Sequence, residues 1–291
     1  MIFTDTIAEM TWVEVERAAK DGAVLLWALG VIEQHGPHLP TGTDVYLPSA
    51  RLREVRTKLE SGGISALIMP SYYWGVNIVS GSFPASYGVR PELMRDIMVE
   101  LLMGVMRDGF RHVFCFSGHG DALHNKTIYD GVAASHERTG IDVSFVTDAT
   151  LAMRIGLDVS DPLLTVHDPS PQMPIGAQVR LSPPNTPETA DASLYVDVHA
   201  GREETSLMMS VCPELVREEA RAALRCTEYG LEDLAVWRRG YDDARRKTPQ
   251  GYFGDPASAT VDEGDRALAA SAQAAADAIA SRLQRMAGHI S

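Results

Sequence analysis

The apolar positions of this 291-residue chain fall into two alternating patterns. Runs such as "AVLLWALGV" (23–31), "ISALIMPSYYWG" (64–75), "HVFCFSGHGD" (112–121) and "IDVSFVTDA" (141–149) are dense in apolar and β-branched residues and predict buried strands. Between them, apolar residues recur at three- and four-residue spacing. "WVEVERAAKDG" (12–22) predicts a helix with Thr11 as N-cap and Gly22 as its stop. "LPSARLREVRTKLESGG" (47–63), "PELMRDIMVELLMGVMRDGF" (91–110, Pro91 in its first turn) and "NKTIYDGVAASHERTG" (125–140) predict three more. Strands alternating with helices of this length imply an α/β fold, a layered sandwich with a mostly parallel central sheet and helices on both faces. In such sheets, sites lie beyond the carboxyl ends of the strands. A Pro-rich segment of about 157–190, with "SPPNTPETAD", reads as irregular. "GREETSLMMSV" (201–211) reads as helical, and about 213–291 as a helical C-terminal elaboration. No internal repeat is visible, so residues 1–291 are expected to form a single domain.

Composition narrows the function classes. Hydrophobic residues make up 45% and charged residues 22%, ordinary for a soluble globular chain. A formal net charge of −13 argues against a nucleic-acid partner and against docking on an anionic membrane. Cys115, Cys212 and Cys226 are widely spaced with no CxxC pair, so neither a disulfide framework nor a cysteine zinc site is indicated. No signal-like start and no membrane-length apolar run are visible, and a cytoplasmic location is the expectation.

The candidate chemistry sits at two predicted strand ends and in one later cluster. "EQHGPHLPTGTD" (33–44) holds Glu33, His35, His38 and Asp44 in an irregular loop after the first strand. "SGHGD" (117–121) adds His119, Gly120 and Asp121, and "HAGREETS" (199–206) adds His199, Glu203 and Glu204. Imidazole nitrogen and carboxylate oxygen together suit zinc, manganese or iron(II), and a carboxylate such as Asp44 can bridge two ions. One histidine in a loop is more often hydrogen-bonded structure than ligand. Three mixed clusters make that reading weaker.

These three segments, in this order, resemble the signature segments of the creatininase family of metal-dependent amidohydrolases, and "GSFPASYG" (81–88) resembles a fourth, looser one. The resemblance spans Glu33 to Ser206. It implies a layered α/β fold, two divalent metal ions (Zn and/or Mn, with Fe as an option) and a homo-oligomer, often a hexamer. Carried over by position, Glu33, Asp44 and His119 match the ligands of one ion, and His35, Asp44 and Asp121 those of the other. Asp121 departs from the family pattern, which carries Glu or Gly there; it keeps a carboxylate on an arm one methylene shorter than Glu, so Glu204 is an alternative ligand for the second ion. His199 and Glu204 match the catalytic positions, with His199 as general acid. His38, Gly120 and Ser80 are expected as substrate-contacting or ligand-orienting residues. His124 is expected at a helix start on the surface.

The resemblance implies hydrolysis of a carbonyl in a small cyclic substrate. C–N cleavage of an amide or cyclic amide leads, and ring-opening C–C cleavage of a cyclic diketone such as 3-dehydro-scyllo-inosose is the alternative. A non-catalytic metal- or ligand-binding relative is the third. Creatinine itself is disfavoured: no Trp lies between Trp74 and Trp237, Gly120 replaces a bulky residue, and Val79 and Ser80 stand where many members carry Glu-His. A roomy, polar pocket is expected.

Overall fold

Strand β1 (Val24–Leu29) is buried at all six positions, because its side chains alternate between two covered faces. Leu25, Trp27 and Leu29 point to one core, Leu26 and Ala28 to the other. The computed structural model describes residues 3–168, 178–181 and 194–288. In it β1 is central to a five-stranded sheet of order β2-β1-β3-β4-β5, with β2 at Ala66–Ile68, β3 at His112–Ser117, β4 at Asp142–Thr147 and β5 at Leu164–Val166. Every pairing in this sheet is parallel.

Helices cover both faces, as the alternating pattern predicts. On one face Met94, Met98 and Leu102 of α3 (Pro91–Arg107) and Ile128 and Val132 of α4 (Ala122–Thr139) pack on Trp27, Cys115 and Phe145. The flanking α1 (Trp12–Lys20), closed by a Thr11–Glu14 capping box, and α5 (Ala149–Arg154) extend this layer. On the other face, Leu52, Val55 and Leu59 of α2 (Thr43–Ser61) pack on Leu26, Phe114 and Phe116. Ala272, Ala275, Ala276 and Ile279 of α10 (Val261–Gly288) complete that layer. The small alanines let this long helix lie close to the sheet. The remaining helices are α6 (Arg202–Val211), α7 (Glu218–Ala223), α8 (Leu231–Trp237) and α9 (Tyr241–Lys247).

Several boundaries differ from the sequence reading. The expected strand over 64–75 pairs regularly only at Ala66–Ile68, because Pro70 lacks a donor. Within 157–190, β5 extends the main sheet, and β6 (Gln178–Leu181) pairs antiparallel with β7 (Leu194–Asp197). Most of the Pro-rich stretch "SPPNTPETAD" lies outside the described residues. α2 begins at Thr43 rather than Leu47, so Asp44 sits in the first turn of a helix and not in the loop. Pro48 lies inside this helix and removes the donor that would bond the Asp44 carbonyl.

That carbonyl fits between two strand ends. A Cβ on Gly30, after β1, would stand 2.1 Å from the Asp44 oxygen, and one on Gly118, after β3, 2.4 Å from it. Only glycine permits both approaches. Because β2 lies on one side of β1 and β3 on the other, the strand order switches direction between β1 and β3, where open α/β sheets form a crevice.

Candidate metal centre

The carboxyl ends of β1 and β3 deliver Glu33, His35 and His119 into this crevice, and the start of α2 delivers Asp44. All four are nearly or fully buried: Glu33 is 2% exposed, His35 0%, Asp44 3% and His119 9%. Asp44 faces two ways. Its Oδ1 lies 3.1 Å from His35 Nε2, and its Oδ2 2.9 Å from His119 Nδ1. His119 Nδ1 is also 3.1 Å from Glu33 Oε1.

Glu204, from the first turn of α6, approaches the His35 side, with Oε2 3.7 Å from His35 Nε2. It also accepts a hydrogen bond from Ala200 N at 2.6 Å. Ala200 takes a left-handed φ of 48°, a conformation costly for a residue with a Cβ. The strained turn brings His199 and Glu204 to the same point. Above them, Asp197 accepts from Arg202 N at 2.8 Å and from Asp255 N at 3.0 Å, tying α6 to the 250–255 loop.

Two groups of potential ligand atoms result, Glu33–Asp44–His119 and His35–Asp44–Glu204, the atoms within each lying within 4.8 Å of one another. Glu33, His35 and His199 form a third such group. The arrangement fits divalent cations. Asp44 Oδ2 is buried without a hydrogen bond although His119 Nδ1 is close, so the two atoms share a neighbourhood without being directed at each other. Burying three carboxylates this closely needs positive charge.

Electrostatics agrees. Against the cost of burial, the Asp44 carboxylate first, then Glu204 and Glu33, raises His35 to about 10. Glu33 and Asp44 likewise hold His119 well above its ordinary value. Burial, with the Asp44 carboxylate adding to it, pushes Glu204 up to about 8. These three groups therefore carry protons at pH 7 in the metal-free protein, and a bound ion would displace them. Metal loading at pH 7 is expected to release about two to three protons per chain and to weaken as pH falls. Calorimetry in two buffers of different ionisation enthalpy checks this, and loading without proton release would reject it.

Asp121 is not brought to either group. It is the N-cap of α4: Oδ1 accepts from Leu123 N at 2.7 Å and His124 N at 3.4 Å, and Oδ2 from Ile78 N at 3.0 Å. Its shorter arm leaves the carboxylate at the helix start. His124 is not a surface residue. It is fully buried, takes a hydrogen bond from Val76 N at 3.2 Å on Nδ1 and gives one to Leu29 O at 3.2 Å from Nε2. His38 also turns away, with Nε2 2.9 Å from the Thr205 hydroxyl, and so braces the start of α6.

Ser80 donates its hydroxyl to Glu33 Oε2, opposite the oxygen that meets His119. Partners that orient a ligand in this way typically matter 10- to 100-fold in metal affinity. Ser80→Ala is expected to weaken metal binding by about that factor with the fold intact, read by competition with a fluorescent chelator.

A cavity of about 440 Å³ opens on these groups. Gly120 lines it with open space where a Cβ would stand, and Val79 is part of its wall. The walls include Ile78, Val79, Leu123 and Val198, so the lining is more apolar than the sequence suggested. An aromatic wall is present too: Trp237, at the end of α8, lies 5.6 Å from the His199 ring. His199 Nε2 gives a hydrogen bond to Gln34 O at 2.9 Å, with the Gln34 amide also 3.0 Å away. This turns Nδ1 toward Glu33 and Glu204, at 3.7 and 4.0 Å. Burial, with His35 beside it, pushes His199 down to about 4. Gln34, Asp197 and Trp237 escaped the sequence reading. Only "EQH" carried a signal, since Gln34 sits between two candidate ligands.

Comparisons with known proteins identify the family and the fold. The creatininase family model, described as creatinine amidohydrolase, matches residues 8–279. The creatinine amidohydrolase of Pseudomonas putida is 24% identical over 280 residues, 94% of this chain and 95% of its own. The mycofactocin precursor peptide peptidase of Mycobacterium ulcerans (strain Agy99) is 26% identical over 249 residues, 84% of this chain and 80% of its own. A crystal structure of creatinine amidohydrolase superposes with a TM-score of 0.67 at 24% identity, over 95% of this chain and 97% of that one. Solved creatininases with similar matches include a manganese form and a Zn–Zn form.

Proposed function

The chain belongs to the creatininase family, and we propose that it hydrolyses the C–N bond of a small amide, with Glu33, Asp44 and His119 holding one divalent ion and His35, Asp44 and Glu204 a second. The carrying observation is Asp44, whose two oxygens each meet a different imidazole. That the chain is a metal-dependent hydrolase follows from its family; the ion count, the ligand set and the substrate are this proposal. Zinc or manganese suits the mixed nitrogen and oxygen donors.

When bound, such ions make water acidic enough to attack at neutral pH and polarise a substrate carbonyl. The protein's own groups do the rest. Asp44 and Glu33 are fixed by burial and, for Glu33, by Ser80. His199 offers an unprotonated Nδ1 to the cavity, because Gln34 takes its other nitrogen. With its pKa lowered, it must gain a proton before giving one. We therefore assign it as a shuttle, taking a proton from the attacking water and delivering it to the departing amine, rather than as an acid from the start. Trp237 and the aliphatic walls hold the substrate and exclude bulk water.

Both curated relatives described above are named for reactions at C–N bonds. The aliphatic stretch of wall at Ile78, Val79, Leu123 and Val198 offers no partners for the hydroxyls of a cyclic polyol, so C–C cleavage of an inosose is the second reading. A screen of small amides, cyclic amides and cyclic diketones against Zn- and Mn-loaded protein tests the choice. Release of amine, ammonia or formate supports C–N hydrolysis, and a nitrogen-free acid from a diketone overturns it. The second site has its own test. Glu204→Gln is expected to lower metal content from about two ions per chain toward one, and Asp121→Asn to leave it unchanged, by elemental analysis. The reverse pattern would return Asp121 to the ligand set. Assembly into a homo-oligomer belongs to the same proposal, and light scattering of the metal-loaded protein tests it.

A further inference from the structure

Two arginines reach the lining of the active cavity from different elements. Arg154 is the last residue of α5, and Arg238 directly follows α8. Arg154 Nη2 donates to Gly120 O at 2.8 Å, which fixes its guanidinium beside His119. Arg238 adjoins Trp237, the ring that faces His199. They are close enough that Arg238, after burial, helps lower the Arg154 pKa to about 10, so both remain charged at neutral pH.

The anions in the same lining are already engaged. Glu33, Asp44 and Glu204 face the imidazoles of the metal centre, and Asp121 caps α4. Among the described residues, no carboxylate acts on the Arg238 guanidinium. Arg154 already serves Gly120 O, with Asp121 and Asp148 acting on it, so it is Arg238 that places an unbalanced positive charge on the cavity wall.

We propose that Arg154 and Arg238 form a carboxylate-binding subsite, so that the substrate class is a small amide carrying a free carboxylate remote from the scissile carbonyl. The proposal deepens the hydrolase reading and rests on it. The planar guanidinium fork matches a carboxylate, and a cavity of about 440 Å³ holds a substrate of dipeptide size. Carboxylate is favoured over phosphate because both arginines stand at helix C-termini, which add no backbone N–H donors and no positive dipole end. One end of the substrate then meets the arginines while its carbonyl meets the metal centre. This geometry sets orientation and rejects neutral amides of the same shape.

The test uses the full-length, Mn-loaded protein and two matched probes, N-benzoylglycine and N-benzoylglycinamide. Kd is measured by calorimetry, or KM where a probe is turned over. Wild type is expected to prefer the carboxylate by about tenfold or more, and Arg238→Gln to bring the ratio toward one with metal content unchanged. Arg154→Gln is expected to do the same. If it perturbs the Gly120 loop and fails to fold, Arg238→Gln, on an exposed side chain, carries the test. A wild type that binds neither probe or both equally overturns the subsite. So does a preference that survives both substitutions and disappears on chelation, because the carboxylate then sits on the metals. An arginine-dependent preference without hydrolysis of any amide would uphold the subsite and sink the C–N reading alone.

Discussion

Asp44→Ala is expected to strip both metal ions from the protein and to lower turnover by about three orders of magnitude or more. The size of the effect follows from position. Asp44 Oδ1 faces the His35 side and Oδ2 the His119 side, so one truncation would remove a ligand from each of the two proposed ions. No neighbour can replace it. Glu33 is held by Ser80 on its other oxygen, and Asp121 is committed to the start of α4. Elemental analysis after exhaustive dialysis reads the result directly, and circular dichroism checks that α2 still forms. Asp44→Asn is a useful companion, since it keeps the volume and loses the charge. A variant that kept two ions and full turnover would falsify the bridging assignment.

His199→Ala is expected to leave metal content intact and to reduce kcat by about 10²- to 10⁴-fold, the range usual for a positioned proton-transfer group. Its Nδ1 stands 3.7 Å from Glu33 and 4.0 Å from Glu204, farther than the His35 and His119 contacts to Asp44. The loss is expected mainly in kcat, with KM changing less, because the ring moves protons rather than holding the substrate. Small imidazole added to the variant should restore part of the rate. Loss of one ion instead would make His199 a ligand, which its grouping with Glu33 and His35 makes a specific alternative. The two substitutions thus separate groups that hold metal from groups that move protons, which the burial of either residue does not.

Much of this was legible in the sequence. The unbroken apolar run around Leu25–Leu29 can be buried only in a sheet covered on both faces, and the helical spacing in 91–110 supplies one of the covers. The ligand candidates were legible because Glu, His and Asp crowded at strand ends have few structural uses. Boundaries were less legible. The helix expected from Leu47 begins at Thr43 and holds Pro48 inside it, because tertiary contacts at Gly30 and Gly118 accommodate the Asp44 carbonyl that Pro48 leaves without a donor.

The sequence by itself determined the alternation of strands and helices, the three segments that carry the site, and the family to which the chain belongs. Tertiary structure decided which carboxylate goes where. Asp121 and Glu204 both offer a carboxylate, but one is spent on the amide groups that begin α4 and the other is swung inward by the turn at Ala200. It also decided the walls of the cavity. Trp237, Arg154 and Arg238 are far from the signature segments in the chain and meet them only through packing. Local pattern reports on neighbours three or four residues away, whereas a site is made where distant segments converge. The chemistry is therefore written in the motifs, and the choice of substrate in the contacts between elements.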